Sequence, residues 1–408
     1  MEISFFKGVP LRLKFMNTIS NTFLVYRRIN SKDRPHKINF RYLLKIYVIT
    51  VFTILSIGCE PKDNDDNIGL FFLIANSVPG EEITTYQNKS RLEMLRSFDS
   101  QIIEGLAESV APDASGAMGR NKSAYFHVRF QFGIQNLADY SVVSRNPTVL
   151  DTTIKAIEYS FNYQKEDGNF EIVVPNELNG QTPNAADFAS GVSFFLSSLG
   201  LALVDFNQSE WYNSSANASF KSRVESLRPK IDLAATWLLS QKQTLQIGDQ
   251  NAPNRLFFNS LAFYSLGIWL DRDDLLQAGK EFAELGIAKI TNDGYFLEGG
   301  GWDSSYQGVA NNVAIGIFSI LEEDKEWKTS LWNTIVKGTS WQRSRILPSG
   351  EISLEGNTRV YPGGESFLGV PKAIDWKPTM SSFLIRSYYT TDAIYLNLGN
   401  RVKGYYNQ

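Results

Sequence analysis

The sequence predicts an all-α domain, an α/α toroid of helix hairpins with a few short strands or hairpins in its C-terminal loops. Three observations predict this class. Strongly apolar helical segments recur along residues 90–408, a glycine-containing turn recurs before them, and no long linker divides the region. The turns recur about every 45 to 80 residues, a spacing typical of stacked units that bury one face on the next.

The domain begins with helical patterning. In "RLEMLRSFDSQIIEGLAESV", residues 91–110, apolar side chains lie three and four positions apart, which predicts a helix with one apolar stripe. The next stretch, "AYFHVRFQFGIQNLADYSVV" at 124–143, alternates at its start like a strand. Its neighbours are helical, so we expect helix here too.

Four strongly apolar segments are expected to form the inner helices of the toroid. They span residues 187–204, 254–270, 306–321 and 378–389. Small residues would let these helices approach closely: Gly191, Ala262, Gly267, Ala310, Ala314 and Gly316.

The recurring turn is seen in "DGNFEI", "DGYFLE" and "SGEISL", at Gly168, Gly294 and Gly350. A stretch around Gly248 fits the pattern poorly. The glycine-rich residues 350–369 show short alternation and predict a hairpin or loop at the mouth of the toroid.

The N-terminus differs from the rest of the chain. Residues 1–58 hold ten basic and two acidic residues and end in the apolar run "IYVITVFTILSIG". This is the layout of an export signal, and about 13 apolar residues are too few for a stable membrane span. We expect an export segment at 1–58, a tether with a short apolar segment at 59–89, and one domain at 90–408.

"LSIGC" resembles the lipobox of bacterial lipoproteins. That resemblance implies acylation of Cys59 and an exported protein anchored by lipid to a membrane of a bacterial cell envelope. A signal anchor, or a cysteine present by chance, is the alternative. Cys59 is the only cysteine, so no intramolecular disulfide can form.

Composition narrows the possible partners. Residues 59–408 hold 30 basic and 41 acidic residues without a basic stripe, which argues against nucleic acid. Phosphate-binding, dinucleotide-binding and His/Cys metal motifs are absent from the sequence, so we expect no cofactor and no such metal site. The aromatic content of 13% favours a polysaccharide or oligosaccharide partner.

The helix pairs and the turns "DGNFEI" and "DGYFLE" resemble the α/α-toroid carbohydrate-active proteins. These include alginate-lyase-like and heparinase-like polysaccharide lyases and the unsaturated-glucuronyl hydrolases. The resemblance implies the toroid fold and cleavage of a polysaccharide. "NAPNRLFFNSLAF" also resembles the lyases in Asn254, although the histidine that usually lies beside that asparagine is absent.

The segment "GGGWDSSY", residues 299–306, does not recur in the other turns and is the strongest candidate for a site. Uronate β-elimination needs a group that neutralises the carboxylate, a base and an acid. Asp303, Tyr306 and His127 are the candidate catalytic residues. The candidate substrate-binding residues are Asn254, Arg255, Trp302, Glu298, Asp187 and Trp376. Arg129 could share the site of His127 only if that stretch is extended.

Two alternatives remain open at the level of sequence. Hydrolysis would use paired carboxylates, drawn from Asp187, Asp303, Glu298 and Asp167. Asp303 and Asp187 could instead only cap helices. A toroid that binds a glycan or protein without cleaving it is the alternative function.

Overall fold

The computed structural model describes residues 85–123, 125–174, 183–322, 326–367 and 370–407. The predicted export segment, Cys59 and most of the tether lie outside these residues, so those assignments stay predictions. All of the described residues belong to one compact unit, Phe71–Gln408.

Within the described residues the chain forms fourteen helices and one two-stranded sheet. The helices are α1 (Arg91–Ser97), α2 (Ser100–Glu108), α3 (Ile134–Ser144), α4 (Pro147–Phe161), α5 (Ala185–Gln208), α6 (Ala218–Ser226), α7 (Arg228–Ser240), α8 (Lys242–Gly248), α9 (Pro253–Leu270), α10 (Asp273–Ile287), α11 (Ser304–Ile320), α12 (Glu326–Ser344), α13 (Trp376–Thr390) and α14 (Ala393–Tyr406). The strands β1 (Ser366–Phe367) and β2 (Val370–Pro371) pair antiparallel.

The helices form an α/α toroid, as the sequence predicts. The inner helices follow one another around the ring, because α5 contacts α3 and α9, and α11 contacts α9 and α13. An outer helix packs against the outside of each inner helix: α4 on α3, α7 on α5 and α9, α10 on α9, α12 on α11 and α14 on α13. The α1–α2 pair closes the ring, since α1 contacts both α3 and α13.

The inner helices are apolar on all sides because they are enclosed by other helices. In α5, every residue from Ala189 to Phe206 is buried. This helix is also long and apolar enough to span a membrane, but 89% of its apolar window is buried inside the domain, as in a core helix. Close packing requires glycine at some crossings. A Cβ added at Gly267 would lie 2.9 Å from the Leu276 backbone nitrogen.

The repeated turns are confirmed in detail. Gly168, Gly294 and Gly350 have φ of 91°, 95° and 96°, a left-handed region that favours glycine. In each turn a short backbone bridge joins the residues on either side of the glycine: Gln164 with Phe170, Ile290 with Phe296, Ile346 with Ile352. The turn then packs on the next outer helix. A Cβ added at Gly294, for example, would lie 2.7 Å from the Lys337 carbonyl oxygen.

A fourth turn of this kind lies at Gly116, which the sequence pattern missed. Its φ is 97°, and its N–H donates to the Asp113 carbonyl at 3.0 Å. The turn packs on α4, where an added Cβ would lie 2.6 Å from the Lys155 carbonyl oxygen. Met118 stands where the other turns have Phe170, Phe296 and Ile352, so the local sequence does not resemble theirs.

Two helix predictions need correction. The helix expected over 91–110 is broken at Phe98–Asp99, because the Asp99 carboxylate caps α2 by accepting from the Gln101 N–H at 3.0 Å. The stretch 124–143 is helical only in part. Phe126 pairs with Val173 in an antiparallel bridge, and a single 3₁₀ turn, Val128–Gln131, precedes α3. The C-terminal hairpin is present, as expected, at β1 and β2.

Candidate functional site

A cavity of about 620 Å³ opens at the end of the toroid where the inner helices begin. Five predicted site residues line it: His127, Asp187, Asn254, Arg255 and Tyr306. Asp187, Arg255 and Tyr306 are each the third residue of an inner helix, so three first turns meet at this end. The N-terminal ends of helices carry partial positive charge, which favours anionic ligands here.

Sequence reasoning missed much of the lining. The additional charged residues are Arg120, Arg359, Glu365 and Lys372, and the aromatic ones include Tyr125, Phe130 and Phe194. Arg129 also lines the cavity beside His127. The two share the site although the stretch is not extended throughout: His127 is the extended residue before the 3₁₀ turn, and Arg129 is the second residue of that turn.

His127 is a neutral hydrogen-bond donor in this site. It is 4% exposed, and its Nδ1 accepts the Arg129 N–H at 3.1 Å, so the neutral ring carries its proton on Nε2. Burial, and then the charge of Arg129, lowers the pKa of His127 to about 4. The ring is wedged against α5, where a Cβ added at Gly191 would lie 2.5 Å from Cε1.

The first turn of α9 supplies an amide and a guanidinium. Asn254 is buried, and its Oδ1 accepts no hydrogen bond within the described residues. Arg255 Nη1 lies 3.0 Å from Asp187 Oδ1 and 3.3 Å from Asp249 Oδ1. Asp187 therefore does not cap α5; Asn184 does, by accepting the Asp187 N–H. Asp187 orients Arg255 instead.

Tyr306 lies between charges of opposite sign. Lys372 Nζ donates to its hydroxyl oxygen at 2.6 Å, and the hydroxyl donates to Glu365 Oε2 at 3.2 Å. The Arg359 guanidinium lies 4.0 Å from the ring centroid. Burial raises the pKa of Tyr306 above its ordinary value, and Lys372 and Arg359 act in the opposite direction. At neutral pH the phenol keeps its proton.

Glu365 is held as a carboxylate by two cations. Its Oε2 accepts from Arg359 Nε at 3.0 Å, and its Oε1 accepts from Lys372 Nζ at 2.8 Å. Burial alone would raise the pKa of Glu365, but hydrogen bonds from Lys372 and Arg359 hold it at about 2.

The remaining predicted acids do not line the cavity. The four backbone N–H groups of Ser305, Tyr306, Arg359 and Val360 donate to the buried carboxylate of Asp303. It caps α11, as the capping alternative anticipated.

Glu298 is buried outside the cavity lining and pairs with Arg359, and burial raises the pKa of Glu298. Asp167 is exposed in its turn and accepts the Asn169 N–H at 3.0 Å.

The two predicted aromatic residues also lie elsewhere. Trp302 packs edge-on against Tyr295 and lies near Trp341, and its Nε1–H donates to the Glu355 carbonyl at 3.3 Å. Trp376 stacks on Tyr406, with ring centroids 5.6 Å apart. Neither side chain lines the cavity, so stacking of a sugar there would fall to Tyr125, Phe130 or Phe194.

The cavity is strongly basic although the domain is acidic. Among the described residues, five cations line it against two carboxylates, Asp187 and Glu365. Arg129 has no carboxylate partner among these residues, and its guanidinium lies 5.0 Å from the Phe194 ring centroid. Burial, and then Arg255, lowers the pKa of Arg129. An anionic ligand would relieve this concentration of charge.

The fold and the cavity thus define the class of this domain: an α/α toroid with a basic cavity at one end. Among solved structures, the unsaturated glucuronyl hydrolase of Bacillus sp. GL1, described as responsible for glycosaminoglycan degradation, has a TM-score of 0.47 and 14% identity. The alignment covers 73% of this chain and 84% of the hydrolase chain. A mutant of the unsaturated glucuronyl hydrolase of Streptococcus agalactiae, complexed with dGlcA-GalNAc6S, has a TM-score of 0.35 and 10% identity. That alignment covers 76% of this chain and 98% of the mutant's chain.

Both scores are below 0.5, and this likeness carries no inference about activity. No family model and no curated protein matches the chain.

Proposed function

We propose that the domain binds an acidic polysaccharide in this cavity and cleaves it by β-elimination next to a uronate. The observation that carries the proposal is the convergence of a phenol, a neutral imidazole donor, a buried amide and five cations on one cavity. These are the groups that uronate elimination needs, and they come from separate parts of the chain.

The chemistry follows from the residue types. Arg255, Arg129 and the Asn254 amide would neutralise the uronate carboxylate, which makes the proton on C5 more acidic. The Tyr306 oxygen, after its phenol has given its own proton to water, would take the C5 proton. The electron pair left on C5 forms the C4–C5 double bond, the C4–O bond breaks, and the leaving oxygen takes a proton from the new Tyr306 phenol. The Nε2–H of His127 can donate a hydrogen bond but cannot act as the base while Nδ1 is occupied.

Hydrolysis is less well supported by the lining. It would require a protonated carboxylic acid next to the bond as well as a second carboxylate. Both lining acids are ion-paired, Asp187 with Arg255 and Glu365 with Arg359 and Lys372. With a pKa of about 2, Glu365 holds no proton to donate at neutral pH.

The test is incubation of the full chain with a panel of polyuronates and sulfated glycosaminoglycans. We expect new reducing ends together with the ultraviolet absorbance of an unsaturated uronate. Tyr306→Phe should abolish both signals, and Trp302→Phe, a change outside the cavity, should leave them. New reducing ends without absorbance would mean hydrolysis. Binding without either signal would mean a glycan-binding module and would refute cleavage.

We also propose that the protein is exported and anchored by a lipid on Cys59. The support is the basic leader, the short apolar run and the lipobox-like "LSIGC". Metabolic labelling with an alkyne fatty acid should tag the protein, and Cys59→Ala should remove the label. Label that persists in Cys59→Ala would refute the anchor.

A further inference from the structure

The C-terminal loop between α12 and α13 brings three charged side chains to Tyr306. We call its described residues, 355–367 and 370–372, the strap. Near its start, Asn357 Oδ1 accepts the Ser304 N–H at 2.9 Å, and the Thr358 N–H donates to the Trp302 carbonyl at 3.0 Å. The Arg359 and Val360 N–H groups donate to the Asp303 carboxylate. The strap is therefore fixed to the first turn of α11, which carries Tyr306.

The direction of the hydrogen bonds around the phenol is determined by chemistry. An ammonium group can only donate, so the 2.6 Å contact with Lys372 Nζ uses a lone pair of the Tyr306 oxygen. A carboxylate can only accept, so the phenol proton points to Glu365. Glu365 in turn contacts both Lys372 and Arg359, which keeps the two cations beside the ring.

From this arrangement we propose that Lys372 is a positioning residue that activates Tyr306 for proton transfer, while Glu365 holds Lys372 and Arg359 in place. The inference rests on the proposed function, because it gives Tyr306 the proton-transfer role in elimination. It adds the strap as the element that controls this role.

Burial raises the pKa of Tyr306, and the cations that face the phenol oppose that effect. The groups that face Tyr306 are Arg359, Lys372 and Glu365 from the strap and Arg129 from the 3₁₀ turn before α3. Three cations thus face the phenol against one carboxylate. Opposite charges within a few ångströms favour the ionised form of a group, and the hydrogen bond from Lys372 favours it further.

The step then balances with Tyr306 alone. The phenol first gives its own proton to water, and the resulting phenolate takes the C5 proton while the C4–C5 double bond forms and the C4–O bond breaks. The new phenol gives the same proton to the leaving oxygen, which restores the phenolate. No other acid, base or oxidant is consumed.

The test measures the phenol directly and needs no substrate. A fluorotyrosine placed at position 306 of the full chain reports its own ionisation by ¹⁹F NMR across a pH titration. We expect Lys372→Met to raise the titration midpoint by about one pH unit or more, and Lys372→Arg to restore most of that shift. Lys403→Met, which changes a lysine near Asp99, should have no effect. A midpoint unchanged by Lys372→Met would overturn the proposal.

Glu365→Gln provides a second test. Without Glu365 the two cations lose the carboxylate that holds them beside the ring, so the midpoint should rise by about half a unit or more. A lowered midpoint would mean that the cations stay beside the phenol without Glu365 and would overturn its holding role. An unchanged midpoint would refute any role for Glu365. Because no glycan is used, failure here is distinguishable from failure of the lyase assay.

Discussion

Gln307 should be among the most costly polar residues to replace. It lies in α11, four residues after Asp303, and bridges a repeat turn to two helices. Its Oε1 accepts the Phe296 N–H at 2.8 Å, and its Nε2 donates to the carbonyls of Gly294 and Gly338 at 3.4 and 3.2 Å. Gln307→Met keeps the length of the side chain and removes all three bonds.

The magnitude follows from the groups left behind. Three lost hydrogen bonds cost about 1 kcal/mol each, and a buried unpaired N–H adds about 1 to 3 kcal/mol. Phe296 is 2% exposed, so water cannot easily replace the lost acceptor. We expect Gln307→Met to lower the free energy of unfolding by roughly 4 to 6 kcal/mol.

A neighbouring glutamine provides the control. Gln342 is also buried but makes one hydrogen bond, from Nε2 to the Ser304 carbonyl at 3.0 Å, and its Oε1 has no partner among the described residues. Gln342→Met should cost about 1 kcal/mol. Urea unfolding of the full chain, followed by circular dichroism, gives both values. Equal losses in the two variants would refute the assignment of Gln307 as the bridge.

Three further predictions concern the cavity. Gly191→Ala should push the His127 ring aside and weaken binding of an acidic oligosaccharide about tenfold, measured by calorimetry; unchanged binding would contradict the contact. Because the pKa of His127 is lowered to about 4 in the folded chain, this residue binds a proton more readily in the unfolded chain than in the folded one. Stability should therefore fall by roughly 3 kcal/mol as pH drops from about 6.5 to about 4, and His127→Gln should remove that loss in urea titrations. Raising salt should weaken binding of the acidic oligosaccharide, and Arg129→Met should reduce this dependence; an unchanged salt slope would exclude Arg129 from the anion site.

The sequence predicts the helical scaffold better than the site because the two depend on interactions of different range. The turns at Gly168 and Gly294 are local, so their pattern is visible in a few residues. The break at Asp99 was missed, although an aspartate followed by "SQ" is a local cap signal. Lys372, in contrast, is 66 residues from Tyr306, and nothing near it in the sequence indicates that it reaches a phenol.

The prediction for Asp303 illustrates the same limit. Its position before α11 is consistent with either a cap or a catalytic acid, and the sequence alone could not choose. Whether Asp303 is a cap or a catalytic acid depends on Arg359 and Val360, which lie 56 and 57 residues further along the chain. Their N–H groups donate to the second oxygen of its carboxylate. Those bonds occupy Asp303 and also anchor the strap.

The basic mouth can be explained by how a toroid is built. In an α/α hairpin ring every inner helix runs in the same direction, so all of their positive ends gather at one opening. Adding Arg129 and Arg255 there increases repulsion, and Asp187 offsets only part of it at Arg129, whose pKa is lowered by burial and by Arg255. Asp187 and Glu365 compensate only part of the charge. Such a cluster is costly for folding alone, and the compensation that is missing is what a bound polyanion would provide.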